Sequence, residues 1–180
     1  NQTGSRVLFD EIPGKIVWLT LEEGMVVEQG DTLAIIDTSD LVLKISVLQA
    51  QQEAIRTKLL STQAQTAVYE QQKENTQLEL KRFRRMLDEK AATAKQVDDL
   101  EAGIRVLERQ IQATRVSGTS IESEIQTLSR QIDQIRDNIR KCYILSPIRG
   151  TLTEKYAEAG EMALGNKNLM KIADLEHMFL

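Results

Sequence analysis

The chain has 180 residues, a formal net charge of −4, and 41% hydrophobic residues of which few are aromatic (4% of the chain). So few rings argue against a compact enzyme-like core, which draws much of its buried area from them, and the acidic balance argues against a nucleic-acid partner. A single cysteine, Cys142, excludes an internal disulfide, and no apolar run approaches the roughly 20 residues that span a bilayer.

Residues 1–40 read as β structure. Val7-Leu-Phe9, Lys15-Ile-Val-Trp-Leu-Thr-Leu21 and Thr32-Leu-Ala-Ile-Ile36 are short runs rich in β-branched and aromatic residues. Pro13-Gly14, Glu23-Gly24 and Gln29-Gly30 punctuate them as turns.

Residues 41–142 read as helix. Only Pro13 and Pro147 occur in the chain, so this stretch lacks the strongest helix breaker. Val97, Leu100, Ile104, Leu107, Ile111, Thr114, Gly118, Ile121, Ile125, Leu128, Ile132, Ile135 and Ile139 alternate in steps of three and four, and eleven of these thirteen are aliphatic. That 3.5-residue period predicts a left-handed coiled-coil seam. Leu41, Ile45, Leu48, Gln52, Ile55, Leu59, Thr62, Thr66, Tyr69, Lys73, Thr76, Leu80, Phe83 and Leu87 form a matching seam with a polar middle. A turn at 88–93 pairs the two as an antiparallel hairpin. A reversal near residue 92 sets Thr66 level with Gly118 and Tyr69 level with Thr114, so the middle is expected to pack loosely. Glu101–Arg105 and Asp133–Arg136 have the spacing of ion pairs along one helix. Thr93-Ala-Lys-Gln96 fits a capping box. At about 1.5 Å per residue, helices of roughly 45 residues give an arm of roughly 70 Å.

Residues 143–175 return to the first style. Tyr143-Ile-Leu145, Gly150-Thr-Leu-Thr153, Met162-Ala-Leu164 and Leu169-Met-Lys-Ile172 alternate with Pro147, Gly160 and Gly165. The flanks also resemble each other. Gly14 to Asp37 in the first half and Gly150 to Asp174 in the second share the order of their turns, over separations of 23 and 24 residues. Two such halves predict one quasi-symmetric β-sandwich. Both chain ends read as cuts from a longer protein, with 176–180 starting a following β-barrel domain.

No Cys/His/Asp cluster has metal-ligand spacing, no nucleophile–base pair stands out, and no phosphate-binding loop occurs. The expectation is a protein without catalytic, cofactor or metal site. His177, the one histidine, reads as structural, and Cys142 as a small hydrophobe where helix meets sheet.

Gly14-x-Ile, Glu23-Gly24-x-x-Val27, Gly30-Asp31-x-Leu33 and Ile36-Asp37-Thr38 resemble the first half of a biotinyl/lipoyl-like domain. Pro147-Ile-x-Gly150, Gly160, Gly165 and Leu169-x-x-Ile172 resemble its second half. A carrier domain bears its modified lysine at the turn after the first half, but Ser39-Asp40-Leu41 stands there and the helix begins. A coiled-coil hairpin set into that turn resembles the periplasmic adaptor family, also called HlyD-type membrane fusion proteins. The fold so implied is α+β, a long antiparallel two-helix hairpin inserted into a split lipoyl-like sandwich, or barrel-sandwich hybrid.

The resemblance implies a non-enzymatic adaptor in the periplasm, anchored to the inner membrane by a segment outside this chain. It implies bridging of an inner-membrane transporter and a TolC-type outer-membrane channel, with self-association into a hexamer or trimer of dimers. The length of the arm tilts the transporter toward the ABC type. The family's tip motif, Arg, Leu and Ser, falls on Arg82, Met86 and Thr93, two of them departures. Two other readings stand beside this one: a lipoyl or biotin carrier of an acyl- or carboxyl-transfer enzyme, which the missing lysine opposes, and a purely structural coiled-coil scaffold, which leaves the β halves unexplained.

Overall fold

The structure is a computed structural model, and it describes residues 4–175. His177 and the expected start of a barrel at 176–180 lie outside the described residues. Four strands come first: β1 (Ser5–Phe9), β2 (Gly14–Trp18), β3 (Val26–Val27) and β4 (Thr32–Ile36). Two long helices follow, α1 (Ser39–Asp88) and α2 (Ala94–Lys141). Four more strands close the chain: β5 (Tyr143–Leu145), β6 (Gly150–Lys155), β7 (Met162–Ala163) and β8 (Asn168–Asp174). The class is therefore α+β, with two long helices and β-sheets. Two compact units result, one of Asn1–Leu48 with Gln131–Leu180, the other of Gln49–Arg130.

The first unit holds two four-stranded sheets, ordered β1-β8-β6-β3 and β5-β4-β2-β7. Both feed one core. Ile16, Leu33 and Ile36 from one sheet meet Leu152, Leu169 and Ile172 from the other, all essentially without solvent contact. Each such side chain contributes about 1.5–3 kcal/mol on burial.

The sequence repeat has a direct structural counterpart. Strand β4 lies between β2 and β5, and β8 lies between β6 and β1. Val27 of β3 pairs with Gly150 of β6, and Ala163 of β7 pairs with Gly14 of β2. The Gly24 N–H donates to the Leu152 carbonyl at 2.7 Å, and the Gly160 N–H donates to Ile16 at the same distance. Each half therefore completes the other's sheet, and neither half alone can close the core.

Gly14 and Gly150 permit that exchange. A Cβ on Gly14 would lie 2.6 Å from Ile36 Cγ2; one on Gly150 would overlap the Ala173 carbonyl oxygen. A second tie is buried Asp10, whose carboxylate accepts the Gly165 N–H at 2.8 Å and the Lys167 N–H at 2.6 Å. Burying a carboxylate is costly unless such donors meet it.

The helical excursion leaves and returns at one place in this unit. The Ile36 N–H donates to the Cys142 carbonyl at 2.8 Å. Asp37 accepts from the Ser39 N–H at 3.0 Å and the Ser39 hydroxyl at 2.6 Å, fixing the first turn of α1. Those bonds hold the Asp37 carboxyl below its ordinary range. Arg140 does the same for Asp137 in the last turn of α2, and Lys167 for Glu161. Cys142 is fully buried beside this junction, and burial pushes its thiol up.

In the second unit, the seam positions of both helices are all buried or half-buried. Val97, Ile104, Ile111 and Ile121 of α2 are among the most deeply buried. Two layers are polar by design of the sequence. Buried Gln52 donates to the Ile125 carbonyl at 3.1 Å and the Ser129 hydroxyl at 2.6 Å. The Thr66 hydroxyl donates to the Thr114 hydroxyl at 2.8 Å.

That last contact corrects the expected register by one layer. Thr66 faces Thr114, and the side chain nearest Gly118 is Leu59. The physical reason is the turn, which reverses at Lys90–Ala91, ahead of residue 92. Glu101 also departs from expectation. It pairs across the hairpin with Arg84 at 2.9 Å, whereas Asp133 does pair with Arg136, at 3.7 Å.

Two glycines separate close packing from helix propensity. Gly150→Ala is expected to destabilise the β unit by about 3 kcal/mol, at the upper end of overpacking effects. Gly103→Ala, in a helix with open space around it, is expected to stabilise α2 by about 1 kcal/mol. Urea unfolding followed by circular dichroism measures both.

The depressed carboxyls set an acid limit. A carboxylate whose folded pKa lies below its unfolded value contributes stability that is complete above the unfolded value and is lost as pH falls through the folded one. Stability of the β unit should therefore decline below about pH 4. Asp37→Asn should make that decline shallower in urea titrations across the acid range.

Candidate functional site

The turn between α1 and α2 carries the three residues singled out by resemblance. Arg82 and Met86 lie four apart, so they share one face of the last turns of α1. Arg82 is exposed, with its guanidinium 5.9 Å from the centroid of the Phe83 ring. Met86 is half-buried. Thr93 is exposed immediately before α2. Phe83 and Leu87 pack with Leu80, Val97, Leu100 and Ile104, so a compact apolar cluster underlies the turn.

Two motifs close the reversal. At the end of α1, the Ala91 N–H donates to the Met86 carbonyl at 2.6 Å and the Lys90 N–H to the Leu87 carbonyl at 3.0 Å. This is the Schellman pattern, with Lys90 at the left-handed position, φ 59°. Glycine is the usual residue there, because a Cβ disfavours that conformation. At the start of α2, Thr93 Oγ1 accepts the Gln96 N–H at 3.2 Å, and Gln96 Oε1 accepts the Thr93 N–H at 2.9 Å. That reciprocal pair is a capping box.

Charges of both signs flank the turn, with Asp88 closing α1 and Lys95 opening α2. Lys81, Arg82, Arg84 and Arg85 occupy α1, while Asp98, Asp99 and Glu101 occupy the facing start of α2. Arg84 is engaged by Glu101 and Lys95 by Asp99, at 2.9 and 3.0 Å. Sequence reasoning located the cap but missed the Lys90 closure and the Arg84–Glu101 bridge. Lysine at a Schellman position gives no local signal, and a bridge between helices depends on register.

Among the described residues, no group of three or more His, Cys, Asp and Glu side chains is placed to hold a metal. Nor is any described helix long and apolar enough to cross a membrane.

No protein-family model matches the sequence, and no curated protein matches it. Solved structures do. The chain is similar to the periplasmic adaptor protein EmrA, at 14% identity and TM-score 0.51, over 97% of this chain and 73% of that one. It is similar to MacA from Actinobacillus actinomycetemcomitans, at 20% identity and TM-score 0.57, over 96% of this chain and 53% of that one. The soluble domain of LipC, a membrane fusion protein of a type I secretion system, matches at 11% identity and TM-score 0.57, over 93% of this chain and 98% of that one. The chain thus has the fold found in membrane fusion proteins, the periplasmic adaptors. It spans about half the length of the MacA structure.

The strain at Lys90 and the cap at Thr93 can be measured. Lys90→Gly should stabilise the protein by about 1 kcal/mol by relieving the left-handed conformation. Thr93→Ala should destabilise it by about 1 kcal/mol, while Thr93→Ser should stay within a few tenths because its hydroxyl caps equally well. Thermal unfolding of the three variants checks the order.

Proposed function

We propose that this chain belongs to the membrane fusion protein family and is the central part of a non-enzymatic periplasmic adaptor in a tripartite efflux or secretion system. The observation that carries the reading is where the helices are inserted. They start at Ser39, directly after Ile36-Asp37-Thr38, where a lipoyl-like carrier would present its modified lysine. The two interlocked half-sheets are the split lipoyl-like sandwich, with halves at 1–40 and 143–175 and the hairpin at 41–142. A swinging-arm carrier has no use for an arm of two helices in place of its lysine, so the carrier reading falls behind. A bare coiled-coil scaffold leaves the exchanged half-sheets without purpose.

In this reading Arg82, Met86 and Thr93 are the docking residues for a TolC-type outer-membrane channel. Arg82 offers a planar fork suited to carboxylates or exposed carbonyls of the channel's rim. Met86 and the apolar cluster beneath it give the contact its body. Thr93 presents a hydroxyl whose lone pair is already shared with the cap. The inner-membrane partner is a transporter, with the long hairpin favouring an ABC type, and copies of the chain assemble into a hexamer or trimer of dimers. An anchor outside this chain holds the assembly to the inner membrane, and the hairpin lies in the periplasm.

Arg82→Asp should abolish export by cells that depend on this protein while leaving the unfolding midpoint unchanged, because Arg82 is exposed and its substitution opens no void. Export assays paired with circular dichroism decide the matter. Normal export by a folded Arg82→Asp protein would remove the turn from the docking site.

A further inference from the structure

We infer that the layer around Thr66, Thr114 and Gly118 is a built-in joint of the hairpin, where the segment carrying the turn bends without losing its register. The joint is a property of the hairpin alone and does not rest on the adaptor reading.

Four observations converge on this layer. First, it is under-packed. A cleft of about 360 Å³, one of several along the hairpin, opens between the helices here, lined by Leu59, Thr62, Thr66, Thr114 and Gly118 among others. A Cβ on Gly118 would meet a single neighbour, Leu59 Cδ1 at 3.9 Å. Interiors are normally filled to crystal-like density, and walls that lack partners across a gap lose their dispersion contacts.

Second, α2 carries Ser117-Gly118 at this level. Gly/Ser pairs are among the few recognised sites of helix bending, and glycine weakens a helix interior relative to alanine.

Third, hydroxyls bond back onto the helices through this region. Thr62 donates to the Lys58 carbonyl at 3.1 Å. On α2, Thr114 donates to Ile111 at 3.0 Å, and Thr119 to Arg115 and Ser123 to Thr119 at 3.1 Å. Such back-bonding bends helices and lowers their stability slightly. Between Gln77 and Leu107 the sequence contains no Ser or Thr except the capping Thr93, so the distal segment lacks this feature.

Fourth, polar ties hold the register across the weak layer. Thr66 and Thr114 share a hydroxyl hydrogen bond, Arg115 is paired with Glu70, and Lys73 reaches Glu108 at 3.5 Å. These contacts are directional but sit on long or rotatable side chains. They tolerate a change of angle that a row of interlocked leucines resists. Beyond the layer, the apolar cluster of Leu80, Phe83, Leu87, Val97, Leu100 and Ile104 packs as a unit of its own.

Hydrogen exchange tests this on the protein as it stands. Protection should pass through a minimum at 113–120, with amides there about tenfold less protected than those of 97–107, which lie nearer the turn. Gly118→Ala adds a methyl in van der Waals contact with Leu59 and should raise protection at 113–120 about fivefold. Gly103→Ala, the same change outside the layer, should leave 113–120 unaltered. Protection that falls steadily toward the turn would overturn the inference. So would a Gly118→Ala protein with unchanged protection, or equal effects from the two alanines.

Discussion

The rest of this chain depends on its return to the β unit, marked by the backbone bond from Ile36 to Cys142. It joins the end of β4 to the start of β5, neighbours in one sheet although a hundred residues of sequence lie between them. A loop that long costs several RT of closure entropy if left disordered. Two helices with facing seams remove the disorder by turning the excursion into a hairpin that ends where it began. The core of the β unit needs that return. Ile16, Leu33 and Ile36 are buried only when Leu152, Leu169 and Ile172 arrive from the other half. The excursion is thus more than a linker. Its antiparallel course is the condition for closing the sheets.

The hairpin balances two demands. A seam of leucine and isoleucine throughout would be more stable, yet such seams slip by a heptad with little penalty. Gln52, buried between the Ile125 carbonyl and the Ser129 hydroxyl, makes a shifted register leave its amide unpaired. A single polar residue at a seam position specifies alignment at some loss of stability. Thr66 and Thr114 repeat the device further along. The register they select places Arg84 opposite Glu101, and thereby decides which cations near the turn remain open to a partner.

The legible part of the fold was the part with local periodicity. Val97, Ile104, Ile111, Ile121 and Ile132 stand in a 3.5-residue pattern, and all are buried. Thr93 and Gln96 are three apart, and their reciprocal bonds form as a short-range motif does. The β-branched runs around Ile16 and Ile36 announced strands for the same reason. What escaped has distant partners or unusual residues. β3 is two residues long, too short for any pattern. Asp10 resembles an ordinary loop acid until Gly165 and Lys167 come to it from the far end of the chain. Lys90 adopts a glycine's conformation, so periodicity alone sets the turn slightly late and matches Thr66 to Gly118 in place of Thr114. At the candidate site, Arg82, Met86 and Thr93 are singled out by the family resemblance and not by any local pattern. Spacing is silent on the neighbouring guanidinium that Glu101 engages.

The proposed role requires the hairpin turn to meet an outer-membrane channel. Site-specific photocrosslinking in intact cells tests it most directly. A photoreactive amino acid placed at Glu89, exposed in the turn, should give an adduct with the outer-membrane channel. The same probe at Gln112, exposed midway along α2, should give none with that channel. Equal channel adducts from both positions, or a Glu89 probe that captures only inner-membrane proteins, would contradict the account.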